Sequence, residues 1–173
     1  YSAMRRDPIG GKATNLVPSN KPNDVYNLVA QKLIMKLRDI KDDPLAKKWL
    51  EYGIDRKLCK KPVMCLPYSL TKFSCRKYIE DHMKKQLNER NVSIDIFKVS
   101  DREDGIFEAT NWLTPVLWES INEIIVGAKE IMKFLKDIAK LVASENLPVS
   151  WTSPLNAPIQ MLCYEKESRR VKT

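Results

Sequence analysis

The chain has 173 residues and a mass of 20.0 kDa, and its formal charge is +8, from 30 lysine and arginine against 22 aspartate and glutamate residues. This length suits one domain with a substantial core, and 43% hydrophobic residues with a mean hydropathy of −0.39 indicate a globular protein. No apolar run approaches the roughly 20 residues that cross a bilayer, so we expect no membrane partner. The chain opens on Tyr1, and we expect it to be a piece of a longer protein.

The first quarter of the chain contains turn signals and then an amphipathic pattern. Residues 5–18 include a Gly-Gly pair and two prolines, which predicts a loop or a helix end followed by turns. Apolar residues then recur at three- and four-residue spacing, which predicts a helix capped by Ser19 or Asn20 and ending near residues 42–44.

Two further helices are predicted around the most basic part of the sequence. The first covers residues 45–52 and is closed by Gly53. The second covers residues 54–69, and Pro62 and Pro67 should interrupt it because proline cannot donate a helical hydrogen bond and its ring crowds the preceding turn.

The second half of the chain is predicted to be mainly helical. A helix is expected over residues 70–90, followed by a polar, irregular stretch over 91–105 with one alternating patch. Thr114 resembles a cap with Pro115 at the first helical position, which predicts one long helix over residues 114–146.

The sequence from residue 147 onward predicts a loop with at most two short strands. The fold class is therefore mainly α, a bundle of about five helices around the long one, with a small β element near the C-terminus.

Metal-binding and nucleophile motifs are not recognisable in the sequence. It has one histidine and no CxxC pair, so neither a zinc site nor a hydrolytic triad is expected, and the free thiols suit a reducing, cytoplasmic setting. These residues are His82, Cys59, Cys65, Cys75 and Cys163.

The positive charge is concentrated in one segment. Between Arg56 and Lys85 nine cations face two acids, a net +7, so the rest of the chain sums to +1. Such a segment suits a polyanionic partner, because neutralised phosphates release counterions. A solvated helix face is the other reading of the same charges.

Four side chains of the basic segment recur at four-residue spacing, which keeps them on one side of a helix. They are Arg56, Lys60, Met64 and Tyr68. A nucleoside triphosphate along this row would place phosphates on the two cations and the sugar and base beside the other two. The alternative is a methionine and a tyrosine in the core with two surface cations.

Collinear stretches of the sequence resemble the fingers of bacteriophage-type single-subunit RNA polymerases. GIDRKLCKKPVMCLPYS over residues 53–69 is similar to their RxxxKxxxMTxxYG motif, and KKPVM and LPY resemble one phage subgroup. The opening YSAMRRDPIGGKATNLVPSNKPNDVYNLVA, WESI within the long helix and WTSP before the basic tail are similar to further segments of these enzymes, in the same order. The resemblance implies a fingers region over residues 1–173, with the nucleotide-binding motif at 53–69 and a scaffold helix at 114–146.

The resemblance also implies roles for single residues. Arg56 and Lys60 would contact the incoming triphosphate, and Lys60 would protonate the pyrophosphate leaving group. Met64 would face the nucleotide, and Tyr68 would stack near the nascent base pair and help to sense the ribose hydroxyl.

Further residues would support the nucleotide pocket or bind the template. Asp24 and Tyr26 match a DxY pair beside the pocket, and Phe73 matches an aromatic residue beside the downstream template. The cations around Phe73 would meet template phosphates. They are Lys72, Arg76 and Lys77.

Two positions depart from the family pattern. Cys65 stands where threonine is usual, and Ser69 stands where glycine is usual. Because serine tolerates a positive φ less well than glycine, the second change affects the turn after Tyr68.

The resemblance implies two Mg²⁺ ions held by aspartates before Tyr1 and beyond Thr173, with palm and thumb as the remaining partners. We therefore expect a chain that binds ribonucleoside triphosphate and DNA template weakly and makes no RNA by itself. A phage or prophage source in a bacterial cytoplasm is expected. The alternatives are a non-catalytic nucleic-acid-binding remnant of a prophage polymerase and an unrelated helical protein-interaction domain.

Overall fold

A computed structural model describes residues 1–90, 97 and 105–162 of the chain. Contacts divide the protein into two compact units, residues 1–129 and residues 130–173. The helices are α1 (Ser2–Arg5), α2 (Pro8–Ala13), α3 (Val25–Asp39), α4 (Pro44–Tyr52), α5 (Arg56–Cys65), α6 (Lys72–Arg90), α7 (Gly105–Ile124) and α8 (Val126–Ser144), with a 3₁₀ turn at Leu66–Tyr68. The mainly α class is confirmed.

The core of the first unit lies between α3, α5, α6 and α7. Each of these helices buries one apolar stripe, as Leu33 and Leu37 do on α3 and Leu117 does on α7. Trp49 of α4 is fully buried, and its indole N–H donates to the carbonyl of Ala109 at 3.2 Å, which satisfies its only polar atom.

The predicted cap of the first long helix is wrong, whereas the predictions that Gly53 closes a helix and that Pro62 lies within one are confirmed. Asp24, rather than Ser19 or Asn20, caps α3, because its carboxylate accepts the backbone N–H groups of the first turn. Gly53 closes α4 with φ 92°, a conformation that glycine adopts without strain. Pro62 lies inside α5 as expected.

The predicted single helix over residues 114–146 is also wrong. α7 begins at Gly105, and Thr114 lies buried within it with its hydroxyl donating to the carbonyl of Thr110 at 2.6 Å. α7 ends at Ile124 and α8 begins at Val126, so residue 125 separates the two helices. There the N–H of Gly127 donates to the Asp7 carboxylate at 3.2 Å, a tertiary bond that replaces a helical one.

Residues 5–18, predicted as a loop or a helix end followed by turns, contain the last residue of α1 and the short helix α2. Asp7 caps α2, and Pro8 occupies its first turn. Gly10 of α2 is closely packed, because a Cβ at this position would meet the Ser2 hydroxyl and the Asp7 carboxylate.

The second unit contains a β-hairpin after α8. Strands β1 (Val149–Thr152) and β2 (Pro158–Met161) pair antiparallel, with Val149 opposite Met161, which confirms the small β element. The alternating patch predicted within residues 91–105 falls outside the described residues, apart from Phe97. Among the described helices, none has the length and apolar character that a membrane span requires.

Candidate functional site

The solvent-facing side of α5 and the 3₁₀ turn after it hold all four side chains of the predicted row. Arg56 and Lys60 are exposed, Met64 is 49% exposed and Tyr68 is 83% exposed. The opposite side of α5 is buried and supplies Leu58, Cys59 and Val63 to the core. The alternative that Met64 and Tyr68 are core residues is therefore wrong.

Arg56 is held in place from α3. Its Nε–H donates to Asp24 Oδ2, and its guanidinium carbon lies 4.8 Å from the centroid of the Tyr26 ring. An ion pair and a cation–π contact from two sides restrict a long side chain that would otherwise move freely. The structure thus brings together three residues predicted for the site: Arg56, Asp24 and Tyr26.

The Asp24 carboxylate is stabilised in its charged form. Burial raises the pKa of Asp24, but the hydrogen bonds from Arg56 and from the backbone of Asn27 and Tyr26 outweigh it, so the pKa lies below its ordinary value. At neutral pH this residue is an anion that orients the Arg56 guanidinium.

Lys60 differs from Arg56 in having an uncompensated charge. It is exposed one turn along α5, and no carboxylate of the described residues comes within 4 Å of its ammonium group. An ammonium in this state binds an oxyanion without first breaking an ion pair. Lys57 beside it is equally exposed but lies off the row.

The predicted template residues of α6 fall into two groups. Lys72 and Phe73 are exposed, and no carboxylate of the described part of the chain lies within 4 Å of Lys72. Arg76, in contrast, pairs with Glu80 at 2.8 Å with only 13% of its side chain exposed. Lys77 pairs with Glu80 at 3.4 Å and with Asp81 at 3.6 Å.

Glu80 is the centre of this ion-pair cluster. Hydrogen bonding from Lys84 lowers the pKa of Glu80 below its ordinary value against the opposing effect of burial, and Arg76 and Lys77 lower it further. The carboxylate is 12% exposed and lies 2.6 Å from the Lys84 ammonium. Part of the positive charge of the basic segment is therefore compensated within α6 itself.

The two departures from the family pattern have visible consequences. The Cys65 thiol donates to the Tyr78 hydroxyl at 3.7 Å, a contact between α5 and α6. Ser69 adopts φ 63° and ψ 39°, the left-handed conformation that glycine reaches at lower cost.

A pocket of about 320 Å³ lies beside the row and was not predicted from the sequence. Its lining includes Tyr26, Val63, Met64, Pro67, Ile124 and Ala128. No spacing signal in the sequence brings these helix ends together, because the pocket depends on how α2, α3, α5 and α7 pack.

The described residues do not fit a divalent metal ion. No group of three or more histidine, cysteine, aspartate or glutamate side chains lies close enough to hold one in the part of the chain that the structure describes. Asp24, the acid next to the row, already accepts from Arg56 and from two backbone N–H groups.

The sequence matches the family described as DNA-dependent RNA polymerase over residues 1–173, and the chain belongs to that family. It is 36% identical over 167 residues, 92% of this chain, to the mitochondrial DNA-directed RNA polymerase 1B of Nicotiana tabacum, of which it covers 16%. It is 34% identical over its whole length to the chloroplastic/mitochondrial DNA-directed RNA polymerase 2 of Arabidopsis thaliana, of which it covers 17%.

The chain therefore spans about a sixth of the length of these two relatives. Their names place them in plant organelles, so they do not support the expected phage source or a bacterial cytoplasm. The names do support the polymerase resemblance that the collinear stretches of the sequence indicated.

Proposed function

We propose that this chain is the part of a DNA-directed RNA polymerase that holds the incoming ribonucleoside triphosphate and the DNA template, the fingers region of the enzyme. The observation that carries this proposal is the row on α5. Arg56 is oriented by Asp24 and Tyr26, Lys60 one turn away has no carboxylate of the described residues within 4 Å, and Met64 lies exposed beyond it.

The two cations bind the triphosphate in different ways. Asp24 engages Nε of Arg56, so the terminal nitrogens of the guanidinium are the donors that remain for two phosphate oxygens. Lys60 binds as a mobile point charge and gives its proton to the pyrophosphate oxygen as negative charge develops there.

The far end of the row receives the sugar and base. Met64 supplies a polarisable, apolar contact, and Tyr68 offers a ring face for stacking and a hydroxyl within reach of the ribose. Asp24 and Tyr26 act as positioning residues through Arg56.

Template binding is assigned to the N-terminal part of α6. Lys72 contacts a phosphate and Phe73 lies beside a template base, while Lys77 adds a second, partly compensated charge. Arg76 is too well paired with Glu80 to serve as a phosphate contact of the same kind.

Catalysis requires groups outside this chain. Mg²⁺ would supply the activation of the attacking hydroxyl, and the resemblance to the polymerase family assigns its ligands to aspartates of the palm, before Tyr1 and beyond Thr173. The chain alone is expected to make no RNA with template, ribonucleoside triphosphates and Mg²⁺, and an RNA product would contradict this. The phage or prophage source and the bacterial location rest on the likeness of KKPVM and LPY alone.

The proposal is tested by calorimetric titration of the chain with ATP. Lys60→Gln and Arg56→Gln should each weaken binding by about tenfold or more, because each removes a charge-assisted contact to phosphate. Lys57→Gln removes the same charge from an exposed position between the two, off the four-residue row, and should leave the affinity within about twofold. Equal losses in all three variants would show that only net charge matters, and the assignment of the row would be wrong.

A further inference from the structure

Two exposed aromatic rings from different helices lie against one arginine. The Arg76 guanidinium carbon lies 5.5 Å from the centroid of the Phe73 ring on α6 and 4.7 Å from that of the Phe107 ring on α7. Phe73 is 72% exposed and Phe107 is 48% exposed. Phe107 has no part in the roles implied by the motifs, and the pairing appears only once α6 and α7 are packed together.

Arg76 is suited to hold these rings. Its Nη1 donates to Glu80 at 2.8 Å, and Glu80 is itself fixed by Lys84, so the guanidinium has one preferred position. An arginine over the face of a ring attracts it electrostatically. The paired, mostly buried cation therefore orients both rings while its charge toward solvent is reduced by Glu80.

Exposed phenylalanine rings beside cations suit one kind of ligand in particular. Burying a phenylalanine is favourable, yet Phe73 keeps 72% and Phe107 48% of its surface exposed although each ring contacts Arg76. Unpaired nucleic acid bases stack on such ring faces, and the neighbouring phosphates need cations close by. Lys72, exposed and adjacent to Phe73, supplies that charge.

We propose that Phe73 and Phe107, positioned by Arg76, form a platform on which an unpaired base of a nucleic acid strand stacks. The new elements are Phe107 as a binding residue and Arg76 as a positioning residue instead of a phosphate contact. The inference rests on the proposed function in taking nucleic acid as the partner, and it extends the template surface from α6 to α7.

The test measures fluorescence anisotropy of a labelled single-stranded oligodeoxynucleotide, a single-stranded RNA and a blunt DNA duplex with the full chain. Phe107→Leu keeps apolar volume but removes the ring, and it should weaken binding to both single strands by about 5- to 150-fold. Phe107→Tyr should stay within about twofold of the original chain. Duplex affinity should not change, since a blunt duplex offers no unpaired base.

Salt dependence separates stacking from charge. Phe107→Leu should leave the slope of log affinity against log salt unchanged, whereas Lys72→Gln should reduce it by about 0.7, the value for one phosphate of a single strand. Phe134→Leu is the matched control, because Phe134 of α8 is 61% exposed and lies outside the platform. It should not alter affinity.

The inference would be overturned if Phe107→Leu bound single strands with an affinity within about twofold of the original chain, or if it lost as much affinity for the duplex as for the single strands. Preferred capture of an apolar peptide or of vesicles by these rings would also overturn it. ATP titration of the same variant distinguishes the two proposals. If ATP binding still depends on Lys60 while stacking fails, only the platform is wrong.

Discussion

One carboxylate oxygen of Asp24 accepts the Nε–H of Arg56, which lies 32 positions further along the chain. The other oxygen accepts the backbone N–H groups of Tyr26 and Asn27, at 3.0 and 3.3 Å. One acidic side chain therefore begins α3 and fixes a guanidinium on α5. The nucleotide row depends on this link, because α5 alone does not determine where a long arginine side chain points.

The two roles of Asp24 can be separated by substitution. Asp24→Asn keeps the helix cap but removes the charge, so the free energy of unfolding should fall by less than about 1 kcal/mol, as for an exposed ion pair. Asp24→Ala also removes the cap and should cost about 1 kcal/mol more. Urea unfolding measures both variants, and equal losses for the two would contradict a capping role.

Ser69 is predicted to store backbone strain. Because its φ is 63°, Ser69→Gly should raise the free energy of unfolding by up to about 1 kcal/mol, whereas Ser69→Val should lower it. Thermal unfolding of the three proteins measures the difference. Ser69→Ala is the control, since it removes the hydroxyl and keeps the Cβ. If alanine stabilises as much as glycine, the hydroxyl and not the backbone is responsible.

Glu80 should make stability depend on acid pH. Its pKa in the folded protein lies below the ordinary value of 4.5, so its contribution is fully present above that value and is lost as the pH falls through the folded pKa. Glu80→Gln should therefore reduce the loss of stability between about pH 7 and about pH 3 in urea titrations. Glu51→Gln, an exposed glutamate outside the cluster, should leave that loss unchanged. If Glu80→Gln lost as much stability between about pH 7 and about pH 3 as the original chain, the role assigned to Glu80 would be wrong.

The cysteines should differ in reactivity. Burial raises the pKa of Cys59 and of Cys75 to about 12, and both side chains are fully buried, whereas Cys65 is half-buried. Only the thiolate reacts, so iodoacetamide should modify Cys65 first in a Cys163→Ser background. Peptide mass spectrometry measures the order. In denaturant all three should react alike, and early modification of Cys59 in the folded protein would contradict the packing described.

Local signals predicted much of the helical framework. Gly53 marks the end of α4 because a positive φ there favours glycine, and Pro62 lies inside a helix whose apolar face still identifies it. The row at Arg56 and Lys60 follows from helical spacing alone. These features depend on neighbours along the chain, which a sequence displays directly.

The errors arose where a local signal is misleading or where a distant contact decides the local structure. Thr114 before Pro115 has the form of a helix start, yet the hydroxyl turns back to Thr110 because α7 is already formed upstream. Asp7 similarly takes the N–H of Gly127 and separates α7 from α8. Phe107 carried no signal in the sequence for the proposed platform, because Arg76, which it contacts, lies on another helix.

The central claim is that the exposed row on α5 holds a nucleoside triphosphate. Photocrosslinking of the chain with 8-azido-ATP, followed by peptide mapping, tests it most directly, because the azide reports where the base lies. The account predicts adducts at Met64 or Tyr68 that unlabelled ATP and Lys60→Gln both suppress and that Lys57→Gln does not. Adducts confined to α8 or the β-hairpin, or adducts insensitive to Lys60→Gln, would contradict it.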